Sequence, residues 1–93
     1  MTDAVATGRA VICNPQGLHA RPSHAVVSLA LEYESSLRVR CAGRDVNGKS
    51  ILELMTLGAG EGETLEFEAQ GRDCVPLIEA LEALVQRGFG ETS

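Results

Sequence analysis

Apolar and polar side chains alternate along four segments of the chain and recur at helical spacing along three others. The alternating segments predict strands at residues 6–13, 36–41, 44–47 and 63–69. The helical segments begin near His19 or Ala20, at Ser50 and at Asp73. Because each strand has a polar face, one side of the sheet is expected to contact solvent. This favours an α+β domain, in which helices cover the other side of an antiparallel sheet.

A proline sets the start of the first predicted helix. Pro22 is tolerated only in a first turn, where its missing N–H would have no acceptor within the helix. The helix therefore begins at about His19 or Ala20. The residues that share its buried side are Ser23, Val26, Val27, Ala30 and Tyr33. This period predicts a helix that continues to about residue 33.

The two later helices carry their own start and stop signals. Ser50 and Glu53 have the spacing of a capping box, which predicts a short helix through Leu57. Asp73 is expected to cap the last helix. The residues predicted to end these helices are Gly58 and Gly88. The residues expected on the buried side of the last helix are Leu77, Ile78, Leu81, Leu84 and Val85.

Composition narrows the class of protein. The chain has 93 residues, which fits one domain over 1–93, and 44% are apolar, enough for a core without disulfides. Its net charge of −5 argues against a nucleic-acid binder. No apolar run approaches the roughly 18 residues of a membrane span, and the N-terminal sequence lacks the features of a signal peptide. Cys13, Cys41 and Cys74 are widely spaced, so we expect reduced thiols in a cytoplasmic protein and no metal site.

Charge is distributed unevenly, with a net +2 in residues 1–49 and −7 in residues 50–93. An anion site is therefore expected in the first half. There, His19 lies where a glycine-containing loop meets a helix start, and Arg21 follows it. Helix-start N–H groups bind anions, imidazole can accept a phosphoryl group, and a guanidinium can hold the phosphoryl oxygens. The alternative, which spacing alone leaves open, is a surface histidine near an unrelated arginine.

Two motifs give the chain a resemblance to a known family. Residues 17–22 (GLHARP) resemble the active-site motif of the HPr family. These are the phosphocarrier proteins of the bacterial phosphoenolpyruvate-dependent sugar phosphotransferase system. Residues 46–52 (VNGKSIL), with 56–58 (TLG) after them, resemble the family's regulatory serine segment and its helix. The interval between the motifs also fits the family, and the likeness covers residues 9–88.

The resemblance implies a fold and a role. The fold is an HPr-like open-faced β-sandwich, with four antiparallel strands under three helices in the order βαββαβα. His19 is implied to accept a phosphoryl group on Nδ1 from enzyme I and to pass it to the IIA domains of sugar permeases. The N–H groups of Ala20 and Arg21 and the Arg21 guanidinium would bind the phosphoryl oxygens. The protein is then a monomeric relay, not an enzyme with turnover of its own, and has no cofactor and no membrane insertion.

Ser50 has two possible roles. By resemblance it is a regulatory phosphorylation site for an HPr kinase/phosphorylase. The alternative is that it serves only as the N-cap of its helix. Glu53 stands where many family members have a small or basic residue, and its carboxylate would repel a phosphoserine. Both roles remain open.

A partner-docking surface is expected beside the nucleophile. By resemblance its residues are Ala20, His24, Ile51, Leu52 and Met55. Ordinary core packing is the alternative for the apolar residues of the short helix, and for His24 the alternative is a solvated helix residue with no part in docking. Ser28, Leu31 and Glu53 stand where family members often have lysines. Recognition would then depend on apolar contact together with Arg21 and Lys49.

Two rival functions are compatible with the same residues. One is a regulatory or nitrogen-branch HPr paralogue, which the sequence does not distinguish from a sugar-uptake relay. The other is a binding effector that is never phosphorylated on His19. The presence of both His19 and Arg21 argues against the second rival.

Overall fold

The structure, a computed structural model of the protein, describes residues 4–91. Its strands are β1 (Val5–Val11), β2 (Ser36–Cys41), β3 (Arg44–Asn47) and β4 (Thr64–Gln70). Its helices are α1 (Ala20–Ala30), α2 (Ile51–Met55) and α3 (Cys74–Gln86), followed by a 3₁₀ turn, η1 (Gly88–Gly90). The strands form one antiparallel sheet in the order β1-β4-β2-β3. The α+β class and the open-faced sandwich with three helices are thereby confirmed.

One face of the sheet forms the core. Buried and exposed residues alternate along β2 and β4, so that Val39 and Phe67 lie opposite each other on the inner face. The buried side of α3 contributes the five residues predicted for it: Leu77, Ile78, Leu81, Leu84 and Val85. Ala10 and Ile12 are also buried. The period of two in the strands and the helical period in α3 therefore meet in a single apolar layer.

The other face of the sheet is polar and exposed to solvent. Asp45 on β3 accepts hydrogen bonds from the Nε atoms of Arg38 and Arg40, at 2.9 and 2.8 Å, and Arg40 also contacts Glu68 at 2.9 Å. The hydrogen bond from Arg40 lowers the pKa of Asp45, and Asp45 in turn raises the pKa of Arg40. These ion pairs lie on the solvated face of the sheet that the alternating pattern predicts.

Helix α1 ends earlier than its period predicted. It stops at Ala30, and Tyr33 lies in the following turn, half-buried against the core. The prediction that the helix reaches residue 33 was therefore wrong. An apolar side chain can reach the core from a turn, so a helical spacing of apolar residues does not by itself define a helix end.

Asp73 explains part of that early end. It lies at the N-cap position of α3, as predicted, but its side chain makes no capping hydrogen bond there. Its carboxylate instead accepts from the N–H groups of Glu34 and Ser35, at 2.8 and 2.9 Å, and from the Ser35 hydroxyl. These bonds, the one from the Ser35 hydroxyl above all, lower the pKa of Asp73. The predicted capping role is thus wrong, and the residue fastens the α1–β2 turn to the start of α3.

Other boundaries differ by one or two residues. β1 covers residues 5–11, not 6–13, although the Ile12 N–H still donates to the Glu63 carbonyl at 2.9 Å. α2 ends at Met55, two residues before the predicted Leu57. The stop signals after α2 and α3 are confirmed, because Gly58 and Gly88 have φ values of 61° and 66°.

Further expectations concern membranes and cysteines. None of the helices within residues 4–91 combines the length and apolarity needed to cross a bilayer. All three cysteines are free: Cys13 is exposed, and Cys41 and Cys74 are buried. The expectation about a signal peptide depends partly on residues 1–3, which lie outside the described part.

Candidate functional site

The loop before α1 is held closely against the loop that follows α2. Gly17 has φ of 68°, and a Cβ atom there would lie 2.4 Å from the Ala59 carbonyl oxygen, so only glycine fits. The next residue, Leu18, donates its N–H to that same oxygen at 2.9 Å. The buried Asn14 adds a hydrogen bond from Nδ2 to the Gly17 carbonyl at 2.8 Å. Together these contacts fix the position from which His19 projects.

His19 is the N-cap residue of α1, and the helix start beside it is open. Its backbone is extended (φ −84°, ψ −166°), its side chain makes no capping hydrogen bond, and 34% of that side chain is exposed. Its carbonyl accepts the Ser23 N–H at 3.0 Å, and Pro22 has no N–H. The helix therefore offers no acceptor to the N–H groups of Ala20 and Arg21. The predicted helix start is confirmed, and within residues 4–91 the Ala20 and Arg21 N–H groups beside the imidazole have no hydrogen-bond acceptor.

A carboxylate from the other end of the chain contacts the imidazole. His19 Nε2 lies 3.0 Å from Oε2 and 3.3 Å from Oε1 of Glu91. Asn14 Nδ2 donates to Glu91 Oε1 at 2.9 Å. The sequence analysis missed Glu91, because a lone glutamate after a helix has no local signature and its partner lies 72 positions away.

An open cleft of about 770 Å³ surrounds this cluster. The residues that line it from the predicted site are His19, Arg21 and His24, and the structure adds Cys13, Asn14, Arg87, Phe89 and Glu91. Arg21 is exposed and makes no side-chain hydrogen bond within the part of the chain that the structure describes. Two arginines, Arg21 and Arg87, line this cleft, and His19 and Arg21 place the open start of α1 beside it. This arrangement is suited to an exposed, transient anion.

The start of α2 differs from that of α1. Ser50 Oγ accepts the Glu53 N–H at 3.2 Å, which is the first half of the predicted capping box. The Glu53 carboxylate does not return to the Ser50 N–H. It accepts the Asn47 N–H at 2.9 Å instead, while the Ser50 N–H donates to the Asn47 carbonyl. Ser50 is therefore a working cap, and its hydroxyl oxygen is already used by the backbone.

The predicted docking residues differ in exposure. Ala20 and His24 on α1 are exposed, and so are Leu52 and Met55 on α2, with 79% and 44% of their surface open to solvent. Ile51 is half-buried and packs against the core. Lys49 is engaged, since its Nζ donates to the Tyr33 carbonyl at 2.9 Å. Of the α2 residues, Leu52 and Met55 are the exposed apolar side chains on this short helix.

Nothing in this cleft has the composition of a metal site. Across residues 4–91, histidine, cysteine and carboxylate side chains do not gather in groups of three or more that could hold a metal ion. Cys13 lines the cleft, and its thiol lies 3.5 Å from the Val85 carbonyl oxygen.

A family model described as "PTS HPr component phosphorylation site" matches residues 6–87. The chain belongs to the HPr family. HPr proteins are the phosphocarriers of the phosphotransferase system, and this membership confirms the resemblance carried by the GLHARP and VNGKSIL segments. The phosphocarrier protein HPr of Cupriavidus necator is 41% identical over 80 residues, which are 86% of this chain and 90% of that protein.

Solved structures agree with this membership. The chain superposes on HPr-C-His from Thermoanaerobacter tengcongensis with a TM-score of 0.88 and 35% identity, covering 95% of this chain and 99% of that one. It is also 33% identical over 94 residues to the multiphosphoryl transfer protein of Salmonella typhimurium. That match covers 98% of this chain but 25% of the relative, so the chain spans about a quarter of that protein's length.

Proposed function

We propose that this HPr-family chain carries a phosphoryl group on Nδ1 of His19, received from enzyme I and delivered to a IIA domain. One observation carries the proposal. Glu91 occupies Nε2, so that Nδ1 is the ring nitrogen left without a hydrogen-bond partner within residues 4–91. About a third of the His19 side chain is exposed to solvent, and the ring borders an open cleft. A group that must react with two different proteins needs this accessibility.

The proposed chemistry is a reversible displacement at phosphorus. The Nδ1 lone pair forms a P–N bond as the bond between phosphorus and enzyme I breaks, and the electron pair of that bond stays with enzyme I. In the second half the acceptor on the IIA domain attacks phosphorus, and the pair returns to Nδ1. Each step exchanges one bond to phosphorus for another, so the relay needs no further reactant. The chain is therefore a covalent relay.

The open start of α1 would hold the phosphoryl oxygens. The Ala20 and Arg21 N–H groups supply two donors, and the positive end of the helix dipole adds to them. The Arg21 guanidinium adds a charged donor from an exposed position. Because this helix start is exposed to water, each interaction is moderate, and the phosphoryl group is not trapped.

Partner docking is proposed to use the exposed residues next to the cleft. These are Ala20, His24, Leu52 and Met55, with Ile51 supporting the α2 side from a half-buried position. Two exposed apolar side chains on one short helix favour an apolar contact with enzyme I and IIA domains. Lys49 is used within the chain, so Arg21 would supply the main positive charge at this contact.

Ser50 is proposed as a regulatory phosphorylation site for a kinase of the HPr kinase/phosphorylase type. A phosphate there would place negative charge beside Leu52 and weaken docking. The Glu53 carboxylate, which lies in the first turn of α2, opposes that modification. The cytoplasm, where these partners would act, is the proposed location.

The experiment uses purified chain, cognate enzyme I and phosphoenolpyruvate, and measures acid-labile, base-stable phosphate on the protein. We expect wild type to be labelled, and His24→Ala to reach the same final extent of labelling even where weaker docking slows it. His19→Ala should remain unlabelled while keeping its circular dichroism spectrum. The side chain of His19 is partly exposed, so its loss leaves no large cavity. Labelling of His19→Ala by enzyme I would exclude His19 as the carrier.

Arg21→Glu tests the proposed phosphoryl contact. It replaces a charged donor with a like charge beside the phosphoryl oxygens, and we expect transfer to slow by roughly 100-fold at low salt. The matched control is Arg87→Glu, which makes the same charge change on the α3 side of the cleft and is expected to have a smaller effect. An unchanged rate for Arg21→Glu would contradict the role.

A further inference from the structure

The contact between Glu91 and His19 constrains where the imidazole proton lies. An ionised carboxylate can only accept hydrogen bonds. With Oε2 at 3.0 Å and Oε1 at 3.3 Å, Nε2 of a neutral ring must therefore be the nitrogen that carries the hydrogen. The other nitrogen, Nδ1, then holds the free lone pair. The tautomer of a histidine is commonly set in this way, by the hydrogen bond that one of its ring nitrogens makes.

We propose that Glu91 is a positioning residue that fixes the Nε2–H tautomer of His19 and thereby leaves Nδ1 as the nucleophile. The inference rests on the proposed function, because it explains why that nitrogen reacts. Once Nδ1 bears a phosphoryl group the ring gains positive charge while Nε2 keeps its hydrogen. The same carboxylate then faces that charge. Glu91 therefore favours both the reactive tautomer and the phosphorylated ring.

The position of the Glu91 carboxylate is built into the fold. Asn14 is 4% exposed, and its Nδ2 bridges the Gly17 carbonyl and Glu91 Oε1. The amide orientation of Asn14 is fixed by that carbonyl, which can only accept. One side chain thus links the loop that carries His19 to the carboxylate that contacts its ring.

The backbone near Glu91 supports the same placement. Phe89 is buried and has φ of 59°, a left-handed conformation that is uncommon for a residue with a side chain. The Glu91 N–H donates to the Gly88 carbonyl at 3.0 Å, which closes the turn. The buried aromatic ring anchors this turn against the core, and the turn directs Glu91 into the cleft.

The decisive variant is Glu91→Gln, which keeps the shape of the side chain. Asn14 Nδ2 would attract the new carbonyl oxygen and turn the new NH₂ group toward His19 Nε2. A donor in that place favours a lone pair on Nε2, and so moves the ring hydrogen to Nδ1. The matched control is Glu79→Gln, which removes the same charge from an exposed position on α3 outside the cleft.

The experiment measures the ¹⁵N chemical shifts of the His19 ring at a pH at which the ring is neutral. We expect Nε2 to show the protonated signature in wild type and in Glu79→Gln, and Nδ1 to show it in Glu91→Gln. Transfer from enzyme I should fall by about three- to tenfold in Glu91→Gln alone. Wild type with hydrogen on Nδ1, or Glu91→Gln with the same tautomer as wild type, would overturn the proposal.

The two proposals fail in different ways. If the protein shows the expected tautomers but accepts no phosphate from enzyme I, the relay is refuted and the tautomer assignment stands. If Glu91→Gln moves the ring hydrogen to Nδ1 but accepts phosphate as fast as wild type, the role of Glu91 is refuted and the relay stands.

Discussion

The starts of α1 and α2 solve the same problem in opposite ways. Each helix begins with N–H groups that lack an acceptor within the helix. At α2 the Ser50 hydroxyl accepts one of them, and Glu53 places negative charge in the first turn. At α1 the His19 side chain accepts none, and the first turn has no acidic residue. A capped start stabilises its helix, whereas an uncapped start keeps donors free for an external anion.

The carboxylates near the two helix starts show the same contrast. Glu53 is used locally, since it accepts the Asn47 N–H only six residues away. Glu91 approaches α1 from 72 positions along the chain, and it binds the imidazole ring instead of the helix-start N–H groups. The negative charge near α1 thus orients the nucleophile without occupying the anion position. The capped start of α2 thus contributes to stability, whereas the uncapped start of α1 leaves N–H groups available for chemistry.

Closing the α1 start should give the largest effect. His19→Asn introduces one of the best N-cap residues at a position whose backbone is already extended. We expect phosphate acceptance from enzyme I to be lost entirely. The free energy of unfolding should rise by up to about 1 kcal/mol, because the new side chain satisfies a free N–H. Urea unfolding and phosphate labelling measure the two quantities, and His19→Ala, which cannot cap, is the control.

A decrease in stability for His19→Asn relative to His19→Ala would contradict the interpretation of α1 as a helix that lacks its cap. It would show that the imidazole stabilises the helix start in a way the asparagine cannot replace.

Opening the α2 start should have a smaller effect. Ser50→Ala removes the cap and should cost about 1 kcal/mol of stability. Ser50→Asp keeps an acceptor and should melt close to wild type. It also adds a negative charge beside Leu52, so transfer from enzyme I should slow through weaker partner affinity. Melting temperature and transfer rate, measured for both variants, separate the two roles.

A Ser50→Asp variant that is stable and fully active would remove the regulatory role and leave capping as the whole function of Ser50. If Ser50→Ala also transferred phosphate slowly, the loss of transfer rate would be assigned to destabilisation of α2.

The smallest expected effect is at the start of α3, where the side chain of the N-cap residue, Asp73, binds the α1–β2 turn. The folded pKa of Asp73 lies below its unfolded value of about 3.9. Its contribution to stability is therefore complete above that value, and it is lost as the pH falls through the lowered folded pKa. The stability difference between wild type and Asp73→Asn should be constant from neutral pH to about pH 5 and shrink below it. Urea unfolding across this pH range measures the difference.

Asp45→Asn provides the comparison for Asp73→Asn. The pKa of Asp45 is also lowered, chiefly by Arg40, whose charge salt can screen. The groups that donate hydrogen bonds to the Asp73 carboxylate are neutral N–H and O–H groups. Added salt should therefore reduce the effect of Asp45→Asn and leave that of Asp73→Asn nearly unchanged. Equal salt sensitivity of the two variants would contradict the assigned cause.

Local signals in the sequence were sufficient for most of the fold. Pro22 marked the start of α1, Ser50 marked that of α2, and glycines marked the ends of α2 and α3. Each of these signals acts within a few residues, so each can be interpreted without knowing the rest of the molecule. The alternation in β2 and β4 likewise reports burial on one face directly.

Contacts between distant positions could not be predicted in the same way. Asp73 has every local feature of a helix cap, yet its carboxylate accepts hydrogen bonds from Glu34 and Ser35, which lie 39 and 38 positions away. Glu91 has no periodic pattern around it and reaches His19 only because β1, α3 and the turn after α3 bring the chain ends together. In both cases tertiary packing, which no short window contains, decides which hydrogen bond forms.

The edge position of β1 has a consequence for synthesis and folding. β1 is made before the rest of the sheet, but it pairs with β4, so that Val5 lies opposite Gln70 and Val11 opposite Thr64. Contacts this far apart form late, because a long loop must close first. A nascent chain that ends at residue 60 has His19 without β4, α3 or Glu91. We expect ribosome-bound chains of that length to accept phosphate no faster than an unfolded peptide, and acceptance to begin once β4 and α3 have emerged and packed against β1.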